Sequence, residues 1–179
     1  QSHVEGFTAT YTKNTTANSY VKMTCDSKTF TISDPTRTGY TFDGWTVVGD
    51  GITQTDNGTS TTFTKNQAGN MTITANWTPI PYKQIVKVRY QNADGTWGTY
   101  SDVINANYNY GSTVSWSRAA DATYKAASIS YTVTQANTKY VDVYRNTHTV
   151  TLYKGTGIAS VTGAGTYYHG QTATINATL

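Results

Sequence analysis

Lys83, Lys87 and Arg89 sit an even number of residues apart in an alternating run, which puts them on one face of a strand. Tyr90, Trp97, Tyr100, Tyr108 and Tyr110 follow closely in the chain. Cations beside aromatic rings can grip a polyanion or stack on the flat faces of sugar rings. A plainer account is a solvated strand face with aromatic core residues behind it, and on this pattern alone the plainer account outweighs the other. The candidate binding set is Lys87, Arg89, Tyr90, Trp97, Tyr108 and Tyr110. Its partner would be a glycan or a host or cell-surface protein.

Other chemistries find less to work with. His3, His148 and His169 are far apart in sequence, with no second His or Cys at ligand spacing, so no metal or other cofactor is expected. The run 50–56 has the look of a calcium loop but lacks alternating acidic ligands and a closing glutamate, and turn residues explain it. Glycines at 155, 157, 163, 165 and 170 are not followed by Lys-Ser/Thr, so they read as hairpin turns rather than a phosphate cradle. No Gly-x-Ser-x-Gly elbow is present. Glutamate occurs once, at Glu5, which leaves little for paired-carboxylate sugar hydrolysis. A self-formed Lys–Asn or Thr–Gln crosslink would need a buried carboxylate beside the pair; Asp142 lies in a strand, yet no signature accompanies it. The expectation is a protein that is not an enzyme.

The elements that hold these residues are strands. Roughly one residue in five is threonine and tyrosine is abundant, both suited to strands with one wet face. Charged residues are only 13% of the chain, which argues against charge-driven disorder. The net charge of +3 is spread thinly, without a run of basic residues, so neither nucleic acid nor a polybasic membrane contact is expected. No apolar run is long enough to insert in a membrane as a helix. The one cysteine, Cys25, alternates with Val21 and Met23 and reads as a buried thiol. Because the chain begins at Gln1 rather than Met, it reads as an excised fragment or processed piece, and the lack of a visible secretion signal says nothing against secretion.

In order, Phe7, Ala9 and Tyr11 alternate with threonines, as do Val21 and Met23 with their polar neighbours. Strands are then expected over 29–32, 41–48, 60–64 and 71–78, with turns at 49–51 and 56–58. Pro79 and Pro81 mark a short stiff linker. Beyond it, Val86, Val88 and Tyr90 point inward while Ile85, Lys87 and Arg89 point outward, and 92–95 is a hairpin turn. A strand is less distinct over 97–105, and 105–111 is polar and tyrosine-rich. The stretch 118–127 is the one place where a short helical turn is expected. Strands over 129–135 and 139–145 follow, and from His148 onward Val150, Leu152, Ala173, Ile175 and Ala177 suggest inward positions.

One stretch is more specific. Gly39-Tyr40-Thr41-Phe42-Asp43-Gly44-Trp45, entered through Asp34-Pro35, is followed by Met71-Thr72-Ile73-Thr74-Ala75-Asn76-Trp77. Gly39 and Gly44 fall where an aromatic strand must bend or a neighbouring backbone passes closely. Over about residues 5–79 this closely resembles the Listeria–Bacteroides (internalin B-type) repeat, a small β-grasp-like module of bacterial surface proteins. The resemblance implies that Gly39, Tyr40, Phe42, Gly44, Trp45 and Trp77 are structural, the two tryptophans serving as core rather than ligand platform. It also implies an extracellular spacer or adhesive module, not an enzyme. The Val-x-Val-x-Tyr strands loosely resemble mucin-binding-type modules. The stretch 163–172 resembles the front half of a divergent internalin-type repeat whose back half would follow Leu179.

The expected architecture is therefore mainly β: tandem small β-grasp-like modules with a partial repeat at the C-terminus. The modules are 1–79, an internalin B-type repeat; 80–147, a second, mucin-binding-like β module; and 148–179, half of a repeat that would dock on the second module or pair with another chain. The expected role is a non-catalytic spacer or adhesion module, extracellular and held at the cell surface or wall of a Gram-positive-type bacterium beside adjoining repeats. The alternative is a glycan- or host-protein-binding module, including a phage virion fibre or decoration protein.

Overall fold

The computed structural model describes residues 8–12, 18–22, 29–66 and 71–179. The sequence readings at His3, Glu5, Phe7 and Cys25 lie outside those residues. Among the described residues every element is a strand. The chain divides into two compact units, Gln1–Ile80 and Pro81–Leu179.

The first unit contains β1 (Thr8–Thr12), β2 (Asn18–Lys22), β3 (Thr29–Ser33), β4 (Tyr40–Val48), β5 (Ile52–Asp56), β6 (Ser60–Lys65) and β7 (Met71–Pro79). These make two sheets, ordered β2-β1-β7-β4 and β3-β6-β5. Pairing is antiparallel except for β1 with β7, which run parallel. Trp45, Phe63, Met71, Ile73 and Ala75 form the buried core, flanked by Phe30, Ile32, Phe42, Val47, Ile52 and Trp77. Both sheets contribute, so each supplies the cover the other needs.

The glycine–aromatic motif works through one irregularity. Phe42 and Trp45 are three residues apart, and strict alternation would send them to opposite faces. In the β4–β7 ladder Phe42 faces Trp77 and Trp45 faces Ala75, so β4 carries an extra residue between them. That bulge returns Trp45 to the inner face. Gly44 takes φ 95° there, a conformation that costs glycine little. Phe42 then meets Trp45 and Trp77 edge to face at 5.2 and 5.5 Å between centroids, and Trp45 reaches across to Phe63 at 6.1 Å. Gly39, with φ 80°, closes the turn whose Tyr40 N–H donates to the Arg37 carbonyl at 3.1 Å. Outside, threonines pair across β3 and β6: Thr29 with Thr64 and Thr31 with Thr62, each at 3.1 Å.

The second unit contains β8 (Pro81–Tyr90), β9 (Ser101–Asn109), β10 (Thr113–Arg118), β11 (Ala127–Thr132), β12 (Asn137–Val143), β13 (Thr147–Val150), β14 (Ser160–Thr162), β15 (Gly165–Tyr168) and β16 (Asn176–Thr178). β8 is the centre of a three-stranded sheet, parallel to β12 and antiparallel to β9. The β10–β11 hairpin contributes to the same core, in which Val86, Val88, Val114, Val133, Val141 and Val143 are buried. Gln84 is fully buried among them, and its amide is answered: Nε2 donates to the Gln135 carbonyl at 2.8 Å, and Oε1 accepts from Tyr131 at 3.1 Å.

Several local readings change, among them the inward positions of Ile175 and Ala177, which are exposed. The stretch 118–127 makes no helical turn; Asp121 Oδ1 accepts the N–H groups of Thr123 and Tyr124 at 2.8 and 2.7 Å, and Tyr124 then bridges to Arg145. The strand expected over 97–105 instead runs over Ser101–Asn109 and takes in most of the tyrosine-rich stretch. Tyr90, expected inward, is 36% exposed because the valine core ends at Val88 and Val143.

Residues 147–179 lie within the second unit and contain no buried residue; Tyr153 and Ile175 are open to solvent. Their hold on the rest of the unit is polar. The Arg145 guanidinium donates to the His169 carbonyl at 2.6 Å and to the Tyr124 hydroxyl at 3.1 Å. The Tyr168 ring lies over Gly95, where a Cβ would fall 2.7 Å from the ring, and Gln91 Nε2 donates to its hydroxyl at 3.3 Å.

Candidate binding surface

Alternation along β8 puts Lys87 and Arg89 on the face opposite the valines, and the neighbouring strands decide what each cation meets. The register places Lys87 between Asp102 of β9 and Tyr140 of β12, and Arg89 beside Asp142. Lys87 Nζ pairs with Asp102 at 2.6 Å. Arg89 forks onto Asp142, Nε to Oδ1 at 2.7 Å and Nη2 to Oδ2 at 3.0 Å. Its guanidinium also lies 4.5 Å from the Trp97 ring centroid and 4.7 Å from that of Tyr100. Tyr100 donates its hydroxyl to Asp142 Oδ1 at 2.6 Å.

Two further tyrosines complete the surface. Tyr140 meets Tyr100 edge to face at 4.9 Å, and Tyr144 meets Trp97 the same way at 5.1 Å. Tyr140 and Tyr144 are 59% and 54% exposed, so they are the rings that solvent reaches. At the far end of β8 a recess of about 200 Å³ is lined by Lys83, Ile85, Ala136, Asn137 and Thr138.

The charges here are satisfied internally. Arg89 holds the Asp142 carboxyl below its ordinary range, and the Tyr100 hydrogen bond acts in the same direction. Asp102 is lowered chiefly by Lys87 and then by Asn105, while Lys87 is raised by Asp102. Asp142, facing the Tyr100 phenol, raises its pKa. Each cation of the pair already has a carboxylate, so the surface offers ring faces more readily than free positive charge. Asp142, a candidate for crosslink chemistry, is held by Arg89 and Tyr100.

Of the six residues singled out from sequence, Lys87, Arg89 and Trp97 come together. Tyr90 lies on the opposite face, its ring 5.0 Å from Tyr124 with Arg118 nearby. Tyr108 packs against the valine core, and Tyr110 is half-buried in the turn after β9. The residues missed are Tyr140 and Tyr144. Their alternation around Asp142 was visible, but only the parallel β8–β12 pairing sets it beside Arg89.

The first unit has a cleft of about 370 Å³ lined by Asp34, Phe42, Asp43, Trp45, Gln54, Asp56 and Thr61, among others. Asp56 accepts the Gly58 N–H at 2.7 Å, the geometry of a turn. Among the described residues no three of His, Cys, Asp or Glu are grouped to hold a metal ion.

Residues 8–81 match the family model of the Divergent InlB B-repeat domain. The first unit is thus a repeat module of the internalin type, as its glycine–aromatic motif implies. The likeness of the middle segment to mucin-binding modules rests on its strand pattern alone. No curated protein and no solved structure matches the chain.

Proposed function

We propose that the chain is a non-catalytic spacer and presentation module of a bacterial surface protein, extracellular and held at the cell surface or wall. The observation that carries this is the use of the repeat motif in the first unit. Trp45 is 6% exposed, and Phe42 and Trp77 pack against the same core, so the family's hallmark residues serve the fold. A module of this kind holds a neighbouring domain away from the cell through its own stability. The repeat family, found in surface proteins, supports the same reading.

A second reading rests on the outer face of the second unit. Tyr140 and Tyr144 flank a carboxylate fixed by Arg89, which suits a glycan or host protein that offers flat apolar faces beside hydroxyl or amide donors. The test is binding of the intact chain to a broad glycan panel and to epithelial and bacterial cells. Tyr140→Ala/Tyr144→Ala and Lys87→Ala/Arg89→Ala variants, checked for folding, accompany it. No saturable binding is the outcome expected of a spacer. Saturable binding that the folded tyrosine variant loses would replace the spacer reading with the adhesive one and locate its site.

A further inference from the structure

His148 and His169 are 21 residues apart, and the β13–β15 hairpin brings them together. In its ladder His148 faces Tyr167, two residues before His169. His148 Nε2 lies 3.2 Å from His169 Nδ1, with ring centroids 5.4 Å apart and planes at 58°. We infer that this pair is a cross-strand site for a divalent transition metal of the class imidazole favours: zinc, nickel or copper.

The separation of the two nitrogens carries the argument. Two metal–nitrogen bonds of about 2.05 Å at the tetrahedral angle place their nitrogens about 3.3 Å apart. The pair therefore already stands at the spacing a shared metal requires, and turning each ring by roughly 35° off the hydrogen-bond line aims both lone pairs at one point. In the metal-free protein one nitrogen donates its proton to the other. Metal uptake by the neutral pair moves that proton to the other nitrogen of its own ring, so both facing nitrogens offer lone pairs and no proton is released.

The surroundings suit a clamp. The backbone of His169 is fixed on both sides: its N–H donates to the Asn146 carbonyl at 2.7 Å, and its carbonyl accepts from Arg145 Nε at 2.6 Å. His148 is exposed, so a hydrated ion has a path to the site. Among the described residues no carboxylate, cysteine or third histidine completes the set, which leaves the other positions to water. The site is open and of modest affinity, and its effect is to tie β13 to the end of β15 where residues 147–179 otherwise lack a buried core.

The test uses the full chain carrying His3→Ala, which removes the one other imidazole. After chelator treatment it is titrated with zinc chloride while long-range proton–nitrogen spectra follow both rings. His148 Nε2 and His169 Nδ1 should shift together and saturate at one zinc per chain. Either His148→Ala or His169→Ala should weaken binding on the order of 10²-fold, the gain from tethering two weak sites together. Zinc should also slow amide exchange across β13 and β15 in the parent and not in the variants, all folded by the criterion of unchanged β8–β12 amide signals. Unshifted imidazole nitrogens, a shift confined to one ring, or single variants with undiminished affinity would overturn the proposal.

Discussion

The two units fill their fully buried centres with different side chains. In the first, Phe30, Phe42, Trp45, Phe63 and Trp77 are gathered inside, and threonine pairs cover the outer face of β3 and β6. In the second, six valines make the buried centre with Tyr82, Tyr108, Trp116, Tyr124 and Tyr131 packed against them, and a separate set, Trp97, Tyr100, Tyr140 and Tyr144, surrounds Arg89 on the outside. Composition alone would treat these rings alike. What separates them is the neighbour each sheet has. The first unit's sheets bury their inner faces in each other and need large side chains to fill the space between. The second fills its centre with small β-branched residues edged by half-buried rings, and carries a further group of rings on the solvent side around an ion pair.

Several experiments would break or sharpen this contrast. Trp45→Ala should cost about 3–5 kcal/mol, the range for losing a buried large aromatic, and chemical denaturation followed by first-unit amide signals would show it. Val86→Ala removes two buried methyl groups, so about 2–3 kcal/mol is expected from the second unit. A larger loss for valine than for tryptophan would undo the idea that the first unit depends on its rings. Gly44→Ala tests the bulge in isolation. A Cβ there meets nothing within 4 Å, so only the φ of 95° resists it, at about 1–2 kcal/mol.

Acid should separate the units more gently. Asp142 is held low by Arg89, Asp102 by Lys87, and Asp121 by the Tyr124 and Thr123 N–H groups. A carboxyl whose folded pKa lies below its unfolded value contributes in full above the unfolded value, near 4, and loses that contribution as pH falls through the folded one. Second-unit stability should therefore decline from about pH 4 downward, and Asp142→Asn should flatten the decline. The smallest effect belongs to Tyr140→Ala and Tyr144→Ala, each within about 0.5 kcal/mol. A large loss of stability there would mean that the outer rings are structural after all.

How much of this was legible in sequence depends on the distance over which each feature is set. The motif of β4 could be placed because its glycines and aromatics lie within seven residues, with a bend and a close backbone approach both open at its glycines, and the inward positions of Val86 and Val88 followed from alternation. Tyr90 continues that alternation but sits where the valine layer ends, and alternation carries no information about where a core stops. Asp121 shows the same limit: a carboxylate that accepts two nearby N–H groups looks in sequence like the start of a helix, yet here it shapes a loop. Arg89 and Asp142 are 53 residues apart. Their meeting, like that of His148 with His169, depends on strand pairing that no local pattern encodes.

The parallel pairing of β1 with β7 has a mechanical side. These are the first and last described strands of a repeat unit, and their four-residue register, Ala9 with Met71 through Thr12 with Thr74, runs along the direction of the chain at both ends. A pull on the two termini draws these strands past each other lengthwise. The rungs between them then share the load together, whereas an antiparallel hairpin pulled open at its ends would surrender them one by one.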